Sequence, residues 1–152
     1  MRLKFQLNGR AVEREIAPDE TLLTALRGCG LHSVRSGCDT SNCGICTVWV
    51  DDKCVLSCGY PAARAEGRRV TTLEGVRGEA EELMRAMAAE GADQCGYCAP
   101  GFLMSALMML RELDDPTDGE IRRYLAGNLC RCTGYESQLR AIRRVYEGRR
   151  GQ

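Results

Sequence analysis

Ten cysteines in 152 residues constrain this chain more than any other feature of it. Cys38, Cys43 and Cys46 crowd one loop, with Cys54 and Cys58 shortly after, while Cys95, Cys98, Cys130 and Cys132 form a second set. So many thiols are too many to be read as small buried side chains. The N-terminus runs from Met1-Arg2-Leu3-Lys4 straight into an alternating pattern without the apolar core of an export signal, and no stretch approaches the length of a membrane span. The expected compartment is a reducing cytoplasm, where clustered cysteines bind metal more often than they form disulfides.

The spacing within the first set is Cys38-x4-Cys43-x2-Cys46. Three thiolates in one glycine-containing loop can wrap one side of a small inorganic core, and a fourth from a separate strand can close it. This is the plant-type [2Fe–2S] spacing. Spacing alone allows either Cys54 or Cys58 as the fourth ligand. Gly37 and Gly44 are expected to permit unusual backbone angles and to aim amide N–H groups at sulfur. Zinc is the main competing reading, since C-x2-C hooks are common in zinc sites, but three thiolates in a single loop fit two opposed knuckles poorly.

The second set pairs Cys95-x2-Cys98 with Cys130-x-Cys132. Each pair falls in a loop at a helix end, so four thiolates can converge within a helical bundle, where helix N-terminal amides favour anionic sulfur. On spacing alone this set leaves zinc and iron–sulfur both open.

The rest of the chain supplies the scaffold, and the fold class expected is α+β. Leu3, Phe5 and Leu7 alternate with polar neighbours, Asn8-Gly9 makes a turn, and Val12 to Ile16 returns. A short helix follows Pro18 to Thr21, then strands at Thr47–Val50, Val55–Leu56 and Val70–Leu73. Beyond Gly75 the pattern turns helical: Glu79–Glu90, an apolar Phe102–Leu113, a capped helix after Thr117, and a last one carrying Leu139, Ile142 and Val145. The division expected is 1–74 for a mixed sheet and 75–152 for about four helices. Aromatic residues make up only 5%, so both cores must be built mainly from Leu, Val, Ala and Met.

With these residues in view, GCDTSNCGICTVWVDD, QCGYCAPGFLMSA and GNLCRCTGY resemble the three signature segments of the small iron–sulfur subunit of molybdenum hydroxylases. That family takes in xanthine dehydrogenases, aldehyde oxidases and carbon monoxide dehydrogenases, and the resemblance spans essentially the whole chain. It implies a β-grasp, ferredoxin-like domain followed by a four-helix domain, each with one [2Fe–2S] cluster. It names Cys38, Cys43, Cys46 and Cys58 as ligands of the first, leaving Cys54 an extra, and Cys95, Cys98, Cys130 and Cys132 as ligands of the second. It also implies that Gln94 and Cys132 approach a molybdopterin on a separate large subunit, and that the first cluster faces FAD on a medium subunit. The assembly would be a heterotrimer or a dimer of heterotrimers, with this chain a non-catalytic redox subunit that passes electrons singly from molybdenum to FAD.

Other residues carry plainer expectations. His32, the only histidine, matches no ligand position, and Met104, Met108 and Met109 sit among Leu and Phe as core. Cys29 reads as a small packed side chain. Trp49 is expected to be packed or at an interface, and the C-terminal arginines to form a solvated face or a protein contact. Tyr97 and Tyr135 flank the second set and would shield it from water. With 21 basic and 21 acidic side chains, nothing in the charge points to nucleic acid or an acidic membrane. Two other classes fit the thiols: a zinc-bearing adaptor, distinguished by lack of colour, and a free-standing redox carrier or sensor, distinguished by failing to co-purify with larger subunits.

Overall fold

The computed structural model describes residues 1–151. Strand β1 (Arg2–Leu7) buries Leu3, Phe5 and Leu7 and exposes Arg2, Lys4 and Gln6, the period-two pattern of a half-buried strand. Asn8 and Gly9 both take positive φ, 51° and 80°, which turns the chain tightly into antiparallel β2 (Arg10–Glu15). Helix α1 (Leu22–Gly28) starts at Thr21, whose hydroxyl accepts from the Thr24 N–H. Strands β3 (Thr47–Val50), β4 (Lys53–Leu56) and β5 (Arg69–Thr71) complete a five-stranded sheet of order β2-β1-β5-β3-β4. The β1–β5 pair is parallel and the others antiparallel. Leu22, Ala25 and Leu26 of α1 share a core with Leu3, Phe5 and Val48 of the sheet. The last strand is shorter than its sequence suggests. The Asn8 amide takes the Thr72 N–H at 2.9 Å and donates to its hydroxyl at 3.0 Å, so the ladder stops and Leu73 opens a 3-10 turn.

The second half is helical: α2 (Arg77–Ala89), α3 (Ala99–Glu112), α4 (Asp118–Tyr124) and α5 (Glu136–Arg150). Helix α3 begins three residues before the expected Phe102, because Pro100 in its first turn needs no N–H partner there. Every residue from Pro100 to Leu110 is buried, so α3 is the axis of the bundle. The Thr117–Glu120 capping box is present in both directions. The α+β, β-grasp-plus-helices architecture expected from the resemblance is the one observed.

Trp49 ties the halves together. It lies on β3 but is 1% exposed and belongs to the helical core. Its indole N–H donates to the Met104 carbonyl at 2.9 Å, and Arg111 stacks over its ring at 4.4 Å. The C-terminal arginines lie on a solvated face, as expected, and there they close ion pairs with other helices. Arg140 and Arg144 meet Glu90, Arg143 meets Asp118 and Arg149 meets Glu82. Their surface setting makes each pair worth little on its own.

Gln138, 3% exposed on α5, carries the one buried side-chain oxygen without a partner among the described residues. It lines a groove with Phe102, Ile121 and Leu139. A Gln138→Met substitution keeps the shape and removes the unpaired oxygen, so it should stabilise the chain by about 1 kcal/mol in urea denaturation. A loss of stability would show that the amide is satisfied.

Candidate metal centres

The first cysteine loop runs from Gly37 to Cys46 between α1 and β3. Backbone N–H groups of Asn42, Cys43 and Thr40 converge on Cys38 and hold its thiol pKa down to about 6. Gly44 alone of the two loop glycines uses positive φ, 72°, and a side chain there would collide with the Gly127 carbonyl. Gly37 has ordinary φ, contrary to expectation. It is small because a Cβ would press on Ile45 and lie 3.3 Å from Cys43 Sγ.

The thiols face one another in twos. Cys43 faces Cys38, and Cys46 faces Cys58. Ser41 Oγ lies 3.4 Å from Cys58 Sγ, which ties the strand-borne cysteine to the loop. Cys54 points elsewhere: it sits opposite Trp49 in the β3–β4 ladder, and its thiol reaches toward the Met104 carbonyl at 3.9 Å. Cys54 is exposed as a whole, but desolvation of its thiol where it lies against α3 raises its pKa to about 11. Cys29 lies at the end of α1, packed against the sheet core.

The second set follows the same rule. Cys98 is the residue on which α3 starts, and Cys130 and Cys132 lie in the loop between α4 and α5. Cys98 faces Cys130, and Cys95 Sγ lies 3.5 Å from Cys132 Sγ. The Thr133 hydroxyl lies 3.2 Å from Cys130 Sγ. Burial raises the Cys130 pKa, but hydrogen bonds with Thr133, Cys132 and Cys98 together outweigh it and leave the thiol below its ordinary value. Among the described residues no three His, Cys, Asp or Glu side chains gather closely enough for a single ion.

Two facing pairs per set suit a two-iron core, which takes two thiolates at each end, better than one zinc with four converging sulfurs. Burial pushes Cys46 up to about 11, and burial together with the facing Cys130 pushes Cys98 up to about 12. Thiolates so placed need a positive charge beside them to persist.

Exposure differs between the sets. Cys43 and Cys46 are buried, whereas Cys95 and Cys132 are exposed, as is Gln94 just before them. Leu129, Tyr97 and Tyr135 add an exposed apolar rim. The two tyrosines anchor the site's loops: Tyr97 donates from its hydroxyl to the Ser36 carbonyl, and the Tyr135 oxygen accepts from the Cys130 N–H. His32 is exposed and takes no part.

The two loops touch directly. The Leu129 N–H donates to the Cys43 carbonyl at 2.9 Å, and the Asn128 amide donates to the carbonyls of Gly44 and Gly101, each at 3.3 Å. Sequence reasoning missed Asn128 and Arg35, a second bridge, because neither carries a metal-ligand signature.

Two family models and several known proteins match the chain. Residues 5–75 match the model of the 2Fe-2S iron-sulfur cluster binding domain, and residues 72–143 match that of the [2Fe-2S] binding domain. The chain is 46% identical over 144 residues to the xanthine dehydrogenase iron-sulfur-binding subunit of Escherichia coli O157:H7, covering 92% of this chain and 91% of that one. It is 40% identical over 148 residues to the nicotinate dehydrogenase small FeS subunit of Eubacterium barkeri, covering 95% and 94%. Among solved structures, quinoline 2-oxidoreductase from Pseudomonas putida superposes with a TM-score of 0.89 at 38% identity, over 99% of this chain and 97% of that chain. The aldehyde oxidoreductase of Desulfovibrio desulfuricans superposes at 0.91 with 37% identity, over 99% of this chain but 17% of that longer one.

Proposed function

Because the chain belongs to the iron–sulfur subunits of the molybdenum hydroxylase family, we propose that it relays single electrons from a molybdopterin centre on a large subunit to FAD on a medium subunit. The observation that carries this reading is the pairing of eight thiols in two sets whose loops are hydrogen-bonded to each other. A [2Fe–2S] core in each set would accept and return one electron at a time.

The assignments are Cys38, Cys43, Cys46 and Cys58 for the N-terminal cluster and Cys95, Cys98, Cys130 and Cys132 for the helical one, with the domains dividing at 74/75. This chain's own residues do three things. The facing pairs fix where each core sits. The buried flank of Cys43, Cys46 and α3 keeps water from one side. The Leu129–Cys43 hydrogen bond gives a short bonded route, from the residue before Cys130 into the backbone of Cys43. The exposed Cys95–Cys132 edge, with Gln94, faces the molybdopterin subunit in this reading, and the first loop faces the FAD subunit. The assembly is a heterotrimer or a dimer of heterotrimers, working in the cytoplasm. No described helix is long and apolar enough to cross a membrane. The substrate is selected on the molybdopterin subunit.

The test is Cys132→Ala in the assembled enzyme. The helical cluster should be lost, and substrate should still reduce the molybdenum centre while turnover with the native acceptor stops. Unchanged turnover would refute the route.

A further inference from the structure

Arg35 lies just ahead of the N-terminal cluster loop, three positions before Cys38, yet its guanidinium is spent on the other site. Its Nη1 donates to the Gly96 carbonyl at 2.7 Å and to the Tyr97 carbonyl at 3.1 Å, the two residues between Cys95 and Cys98. The same guanidinium stacks over the Tyr97 ring at 5.3 Å, and the Tyr97 hydroxyl donates back to the Ser36 carbonyl at 2.7 Å. The clamp is therefore closed in both directions. Arg35 has no carboxylate partner among the described residues, so its positive charge is not cancelled by an ion pair.

We propose that Arg35 is a positioning residue of the helical centre: it holds the Cys95–Cys98 turn against the N-terminal half and makes that centre easier to reduce. This rests on the electron-relay reading above. Reduction adds one negative charge to a thiolate-bound core, and an uncancelled cation beside the turn stabilises that charge. The guanidinium donates to both carbonyls of the Gly96–Tyr97 turn, which places its charge beside the helical centre. Cation–π contact and two charge-assisted hydrogen bonds keep it there.

The experiment is an EPR-monitored redox titration of the intact chain with its clusters, the two signals being assigned by the Cys58→Ser variant. Arg35→Gln should disfavour reduction of the helical centre by about tenfold, about 59 mV for one electron, with a smaller shift in the N-terminal signal. Arg35→Lys, which keeps the charge, should restore most of the potential. Tyr97→Phe, which removes only the hydroxyl anchor, should leave it near the native value. An unshifted helical signal, equal shifts in both signals, or failure of lysine to rescue would overturn the proposal. Native protein that lacks two [2Fe–2S] signals would instead overturn the relay reading itself.

Discussion

Replacing Cys58 with serine is expected to remove the N-terminal cluster, whereas replacing Cys54 with serine is expected to leave it in place. Both cysteines follow the loop within a few residues of each other, and the difference lies in where each thiol points. The Cys58 thiol faces Cys46 and sits 3.4 Å from the hydroxyl of Ser41, inside the loop. The Cys54 thiol is turned to α3, near the Met104 carbonyl. Strand alternation explains the split. Cys54 sits opposite Trp49 in the ladder, so its thiol shares the side of the sheet that meets the helices. Beyond Leu56 the strand ends, and Cys58 swings back to the loop. Iron analysis should fall by about two atoms per chain in Cys58→Ser, with loss of one of two EPR signals, and should be unchanged in Cys54→Ser. The reverse pattern would make Cys54 the fourth ligand.

The second large effect is structural. Gly101→Ala should destabilise the chain by about 3 kcal/mol and part the two halves. Gly101 lies in the first turn of α3, where the cluster loop crosses it. A Cβ there would collide with the Gly44 carbonyl and lie 2.6 Å from the Ile45 carbonyl oxygen. Both are backbone atoms, and Asn128 holds the Gly44 carbonyl, so nothing flexible can move aside. Gly78 in α2 is the matched control. A Cβ at that position meets nothing within 4 Å, and Gly78→Ala should stabilise the helix by about 0.5–1 kcal/mol. Urea denaturation distinguishes the two. Equal behaviour would mean that the loop is not pressed against α3.

Local features of the sequence translated directly into structure. The alternation of Leu3, Phe5 and Leu7, the Asn8-Gly9 turn and the Thr117–Glu120 box each depend on a few adjacent residues, and each appears as read. The x4 and x2 spacings likewise act over a single loop. What stayed hidden depends on contacts between distant segments. Trp49 reads as a strand residue but serves the helical core, because β3 is buried on all four residues. The C-terminal arginines read as a solvated face, and so they are, but their partners Glu82, Glu90 and Asp118 lie 25 to 67 residues earlier in the chain and were not legible. Arg35 and Asn128 are polar loop residues without a motif, and only the folded chain brings them against the other cysteine loop. Spacing alone leaves Cys54 and Cys58 both open as the fourth ligand; the family resemblance points to Cys58, and the strand register turns Cys54 toward α3.

The most direct measurement is iron, acid-labile sulfide and zinc content of protein purified without air, with EPR of the reduced sample. The account predicts about four iron and four sulfide per chain and two distinct [2Fe–2S] signals. About two zinc, no sulfide and no visible colour would contradict it and make the paired thiols structural zinc sites.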